Sequence, residues 1–105
     1  MNRFDDLEAF VAVVEAGSIT QAADRLGIAK SAVSRRLTGL EQRLGAELIR
    51  RTTRRLNLTD TGQGFYDQAA RILADLDEAE SAVAQSQGEL RGRLKVALPL
   101  SFGLR

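Results

Sequence analysis

The chain contains no cysteine and no histidine. Disulfides, thiolate or imidazole metal ligation, a cysteine nucleophile and a histidine general base are therefore all excluded, and a reducing, cytoplasmic setting fits. No stretch of about 18 apolar residues occurs, and Met1 to Leu7 is charged and lacks an apolar signal region, so neither membrane spanning nor secretion is expected. Phosphate-cradling and calcium-loop patterns are missing too. Gly62-x-Gly64 does not extend to a G-x-G-x-x-G run, because position 67 is Asp. The acidic group Asp75, Asp77, Glu78 and Glu80 lacks the D-x-D-x-D-G loop and reads as a solvated helix face, so no metal and no cofactor is expected. At 105 residues there is room for one small domain and one extended element, which argues against a large catalytic cleft.

Net charge is also nearly absent, at +1, but the charges are strongly segregated. Residues 1–29 carry 2 Lys/Arg against 5 Asp/Glu, residues 30–55 carry 8 against 2, residues 56–87 carry 1 against 6, and residues 88–105 carry 4 against 1. A surplus of six positive charges within 26 residues, inside an otherwise acidic chain, suits one surface that meets a polyanion, although a solvated cationic surface would give the same count.

Apolar residues Leu7, Phe10, Val11 and Val14 recur at helical spacing and predict a helix from Asp6 to Ala16, stopped by Gly17. Ser18 and Gln21 have the capping-box form and open a second helix reaching about Leu26, with Ala22, Ala23 and Leu26 on its inner face. After Gly27, the spacing of Val33, Leu37, Leu40 and Leu44 predicts a third helix from Lys30 to Leu44, ended by Gly45. Two helices joined by a short Gly-containing turn form a helix-turn-helix pattern, which small helical bundles also share.

Two β-compatible runs follow, Glu47 to Arg51 and Arg55 to Thr59. Leu48, Ile49, Leu56 and Leu58 are expected to face the helices, leaving Arg50, Arg51, Arg54 and Arg55 outward, as a basic wing. Thr59, as N-cap, then opens a long helix to about Gln87. Its seam of Phe65, Ala69, Ile72, Leu76, Ala79 and Val83 alternates spacings of four and three and predicts a coiled-coil dimer contact. The alternative is a helix folded back on its own domain. From Gly92, the run through Leu94, Val96 and Leu98 reads as the opening strand of a second domain.

On the third helix, the face opposite the core stripe consists of Ser31, Ser34, Arg35, Thr38 and Gln42. Short hydroxyls allow close approach to base edges, although capping or solvation also explains any single Ser. Arg35 is suited to guanine O6 and N7, a contact type that contributes about 1–3 kcal/mol of discrimination. Lys30 serves base or phosphate, and Arg36 on the flank serves phosphate. Arg54 at the wing tip is the candidate for the minor groove, and Arg50, Arg51 and Arg55 for phosphates or for pairing with Glu47. Four phosphates neutralised per monomer would give log affinity a slope of about −3.6 against log salt per half-site.

Leu7-x-x-Phe10-x-x-Val13-Val14-Glu15-x-Gly17-Ser18-Ile19-Thr20-x-Ala22-Ala23-x-x-Leu26, then Ser31-Ala32-Val33-Ser34-Arg35-x-Leu37-x-x-Leu40-Glu41-x-x-Leu44-Gly45, Leu48, Arg51-Thr52 and Leu58-Thr59-x-x-Gly62, closely resemble LysR-type transcriptional regulators over about residues 1–88. The resemblance implies a mainly α fold: a winged helix-turn-helix at 1–58, a dimerising linker helix at 59–88, and at 89–105 a hinge with the truncated start of an effector domain. It further implies sequence-specific binding of double-stranded DNA in bacterial transcription regulation, by a homodimer with antiparallel linker helices on an interrupted palindrome. Higher oligomers belong to the full-length protein. Groove contacts fall on Lys30, Ser31, Ser34 and Arg35, with Arg54 in the wing, and no inducer site is expected here. Two positions depart from the common pattern: Ala29 stands where a Ser or Thr often caps the recognition helix, and Lys30 replaces the common Gln. A helical adaptor for an acidic protein partner is the rival reading; it would need an exposed apolar anchor on the third helix, where Ser31, Ser34 and Arg35 offer almost none. An enzyme is the weakest reading, for want of an assembled acid–base pair.

Overall fold

The structure is a computed structural model and describes residues 2–51 and 56–94, with side chains up to residue 87. It contains α1 (Arg3–Ala16), α2 (Ile19–Leu26), α3 (Lys30–Leu44), β1 (Ile49–Arg51), β2 (Leu56–Leu58) and α4 (Asp60–Leu94). Two compact units divide the chain, Met1–Leu73 and Ala74–Arg105.

In the first unit α1 starts earlier than the periodicity predicts. The Asn2 side chain accepts from the N–H groups of Phe4 (2.8 Å) and Asp5 (3.2 Å), and Asp5 and Asp6 then lie at the positive end of the helix dipole. Burial also exceeds one stripe: every residue from Ala9 to Val13 is buried, while Leu7 and Val14 are half-buried. The reason is that α1 is covered from several sides. It packs on α2 and α3, Phe10 meets Phe65 of α4 with ring centroids 5.4 Å apart, and a shallow apolar notch lined by Val13, Val14, Gly17, Ile49, Leu56 and Leu58 separates its C-terminal end from the hairpin.

Ser18 caps α2 as expected, its hydroxyl oxygen accepting from the Gln21 N–H at 3.0 Å. Ala22 and Ala23 are buried, and their small side chains let α2 approach its neighbours closely. The core stripe of α3 is buried at Val33, Leu37 and Leu40. Leu44 departs from the expectation: it is 44% exposed, because the core ends one turn earlier and α3 stops at Gly45 in the left-handed conformation. Across the α1–α3 boundary, Asp6 is 1% exposed and its carboxylate accepts from the Arg43 guanidinium at 3.0 Å.

The hairpin is antiparallel, with Ile49 opposite Leu58, Arg50 opposite Asn57 and Arg51 opposite Leu56. Leu48 and Ile49 are buried and Leu56 and Leu58 half-buried against the core, so the apolar side faces inward as expected. Both strands are shorter than the predicted runs.

α4 corrects the sequence reading twice. It continues to Leu94, past the expected end near Gln87 and through the first residues of the expected strand; the rest of that strand, from Lys95, lies outside the described residues. More important, the seam does not serve one purpose. Phe65 and Ala69 belong to the core of their own unit, together with Tyr66 and Leu73, and are not free for a second chain. Ile72, Leu76, Ala79 and Val83 are exposed. Early and late seam positions have the same helical phase, so spacing alone could not separate them.

Candidate nucleic-acid interface

Gly27 closes α2 in the left-handed conformation and lets the chain re-enter a helix at Lys30 within three residues. Burial of Val33, Leu37 and Leu40 against α1 then fixes the rotation of α3. The opposite face is open: Lys30, Ser31, Arg35, Thr38 and Gln42 are exposed, and Ser34 and Arg36 half-buried. Ser31, Ser34, Arg35, Thr38 and Gln42 share this face, and Lys30 stands at its N-terminal end. Ala29 forms no side-chain cap, leaving the first-turn amides of α3 without one.

On the hairpin, Arg50 and Arg51 are exposed. The Arg50 guanidinium lies 3.6 Å from the Glu47 carboxylate, an exposed pair of little energetic weight. Arg54 and Arg55 lie outside the described residues.

Several contacts that hold these surfaces go beyond what the sequence assigns. Glu41 on α3 accepts from the N–H groups of Leu48 (2.8 Å) and Ile49 (3.1 Å). The Thr59 hydroxyl donates to the Glu47 carbonyl (2.7 Å) and accepts from the Gly62 N–H (2.9 Å), so the residue that caps α4 also grips the strand entering the wing. Tyr66 donates to Glu15 at 3.0 Å, and Arg25 lies 3.7 Å from the same carboxylate, joining α4, α1 and α2. The hydrogen bond to Glu15 raises the Tyr66 pKa above the usual phenol value, with burial and the charges of Glu15 and Asp67 acting in the same direction. Among the described residues, no cluster of His, Cys, Asp and Glu is placed to hold a metal, and no helix is long and apolar enough to cross a membrane.

Residues 4–63 match the family model described as a bacterial regulatory helix-turn-helix protein of the lysR family. The chain belongs to the LysR family. Among its relatives, an HTH-type transcriptional regulator of Xanthomonas campestris pv. campestris is 48% identical over 100 residues, covering 95% of this chain and 29% of that protein. The HTH-type transcriptional regulator PtxR of Pseudomonas aeruginosa is 49% identical over 96 residues, covering 91% of this chain and 31% of PtxR. The chain thus spans about a third or less of the LysR-type relatives it matches.

Among solved LysR structures, the BenM DNA-binding domain in complex with catB site 1 DNA superposes with a TM-score of 0.76 at 37% identity, covering 82% of this chain and 97% of that one. The CbnR DNA-binding domain in its DNA complex gives 0.72 at 32% identity, covering 82% and 99%. The fold is the winged helix-turn-helix of LysR DNA-binding domains: four helices and a two-stranded hairpin.

Proposed function

We propose that this chain binds double-stranded DNA sequence-specifically and regulates transcription in the bacterial cytoplasm, as a homodimer on an interrupted palindrome. The observation that carries the reading is the open face of α3, where short hydroxyls and one guanidinium stand opposite the buried Val33, Leu37 and Leu40 and no large apolar side chain is exposed on that face, Leu44 lying on the stripe side. Likeness to the BenM and CbnR domains, whose structures are complexes with DNA, supports it. In this reading α3 enters the major groove, where Ser31, Ser34, Arg35 and Thr38 meet bases, Lys30 meets base or phosphate and Arg36 meets phosphate. The wing stands at the minor groove, with Arg54 entering it and Arg51 and Arg55 on phosphates.

Selection of bound duplexes from a random pool tests the proposal: a two-fold symmetric motif is expected, and recovery of no preferred sequence would overturn it. On the selected site, Arg35→Ala should cost about 1–3 kcal/mol of discrimination. Arg51→Ala should instead weaken binding to all duplexes alike and reduce the salt slope by about 0.9. Equal losses on selected and random DNA for Arg35→Ala would remove its base-reading role.

Dimerisation is assigned to the exposed part of the α4 seam, Ile72 (53% exposed), Leu76 (37%), Ala79 and Val83 (62%). Such a row of apolar side chains gains from a second helix laid along it. Leu76→Glu is expected to give monomers with much weaker binding to the palindrome, read by sedimentation and by titration with DNA. An unchanged sedimentation mass would rule out association through this helix.

A further inference from the structure

We propose that Glu41 is a positioning residue for DNA binding: from the recognition helix it fixes where the basic wing stands relative to that helix. The inference rests on the DNA-binding reading above and adds a role that neither the open face of α3 nor the wing arginines supply.

Both backbone N–H groups entering β1, those of Leu48 and Ile49, are bound by one oxygen of the Glu41 carboxylate, Oε2. The Ile49 N–H therefore points toward α3 and away from β2, and without Glu41 it would lose its partner beside a buried side chain. On its other side the same segment is gripped by the start of α4. The Leu48 carbonyl accepts from the Thr59 N–H at 3.0 Å, and the Thr59 hydroxyl holds the Glu47 carbonyl. Residues 47–49 are thus clamped between α3 and α4, and Arg50 and Arg51 follow directly.

Glu41 lies six residues beyond Arg35 on one continuous helix, a rise of about 9 Å. The wing cations are referred through it to the helix carrying the base-facing side chains, and α3 acts as a ruler between the two. Its charge is informative as well. Residues 30–55 hold only two acidic groups against eight basic ones, and a carboxylate near a polyanion opposes binding on charge alone. Electrostatics and positioning therefore predict opposite signs when it is removed.

In the full chain, Glu41→Ala is expected to weaken binding to the selected duplex roughly tenfold, about 1.4 kcal/mol, although it removes a negative charge. The salt slope should become shallower by about 0.9 for each phosphate that the displaced wing no longer neutralises. Combined with Arg51→Ala the loss should be less than additive, since both act through the wing, whereas with Arg35→Ala it should be additive. Glu41→Gln, which keeps a carbonyl acceptor in place, should restore most of the affinity. Without DNA, amide exchange in Glu41→Ala should accelerate at Leu48 and Ile49 while Phe10 and Val13 in α1 stay protected, which separates a displaced wing from an unfolded domain. Equal or tighter binding by Glu41→Ala, or full additivity with Arg51→Ala, would overturn the role of Glu41 alone. Failure of the parent chain to bind any duplex would overturn the DNA-binding reading, and this role with it.

Discussion

Phe10→Ala is expected to lower the stability of the Met1–Leu73 unit by about 3–5 kcal/mol, measured by chemical denaturation followed by circular dichroism. The ring is fully buried and lies against Phe65 at an interplanar angle of 50°. Truncation therefore leaves a cavity where α1 meets the first turns of α4. At about 0.05–0.15 kcal/mol per residue, a unit of this size has a total stability of only about 4–11 kcal/mol, so the variant should be close to unfolded. Phe4, 38% exposed on the first turn of the same helix, supplies the control. Phe4→Ala should change stability by no more than about 0.5 kcal/mol. Equal effects at the two positions would show that the core is not built around the Phe10 ring.

Gly62→Ala should also destabilise, against the usual preference of helices. In an open helix position, replacing glycine by alanine gains about 1 kcal/mol. At Gly62 a Cβ would overlap the Leu48 carbonyl oxygen, lying 2.9 Å from the carbonyl carbon and 3.0 Å from Leu58 Cδ1. Backbone crowds it on one side, so α4 or the wing strand must shift, and a net loss of about 1–3 kcal/mol is expected. Gly64, two residues on in the same helix, has nothing within 4 Å of such a Cβ. Gly64→Ala should be neutral or stabilising. A matching gain in thermal midpoint for Gly62→Ala would mean that α4 does not start against Leu48.

The contrast between these two glycines marks what the sequence makes legible. Features set by near neighbours in the chain are read directly: the Ser18 cap, the stops at Gly17, Gly27 and Gly45, the start at Thr59, and the buried stripe of Val33, Leu37 and Leu40, which also selects the open face of α3. Gly62 and Gly64 are alike in local sequence, and only the position of Leu48 in space separates them. Phe65 and Ala69 keep the period of Leu76 and Val83, yet the first pair meets its own core and the second pair does not. The burial of Ala9 and Ala12 depends on α1 being enclosed from several sides, which its own pattern does not encode. Glu41 belongs to the motif that points to the family, but its purpose shows only once the amides of Leu48 and Ile49 are found beside it.

Asp6 and Arg43 have a consequence for how such a domain diverges. Their carboxylate and guanidinium meet across 37 positions of sequence, with the Asp6 side chain almost wholly withdrawn from water. Altering Arg43 alone strands a charge in the interior, and altering Asp6 alone removes the acceptor that anchors the guanidinium. Exchange of both for apolar side chains of similar volume escapes both penalties. Substitutions at positions 6 and 43 should therefore be correlated across descendants of this sequence, a pairwise signature between the beginning of α1 and the end of α3 that neither site would show alone.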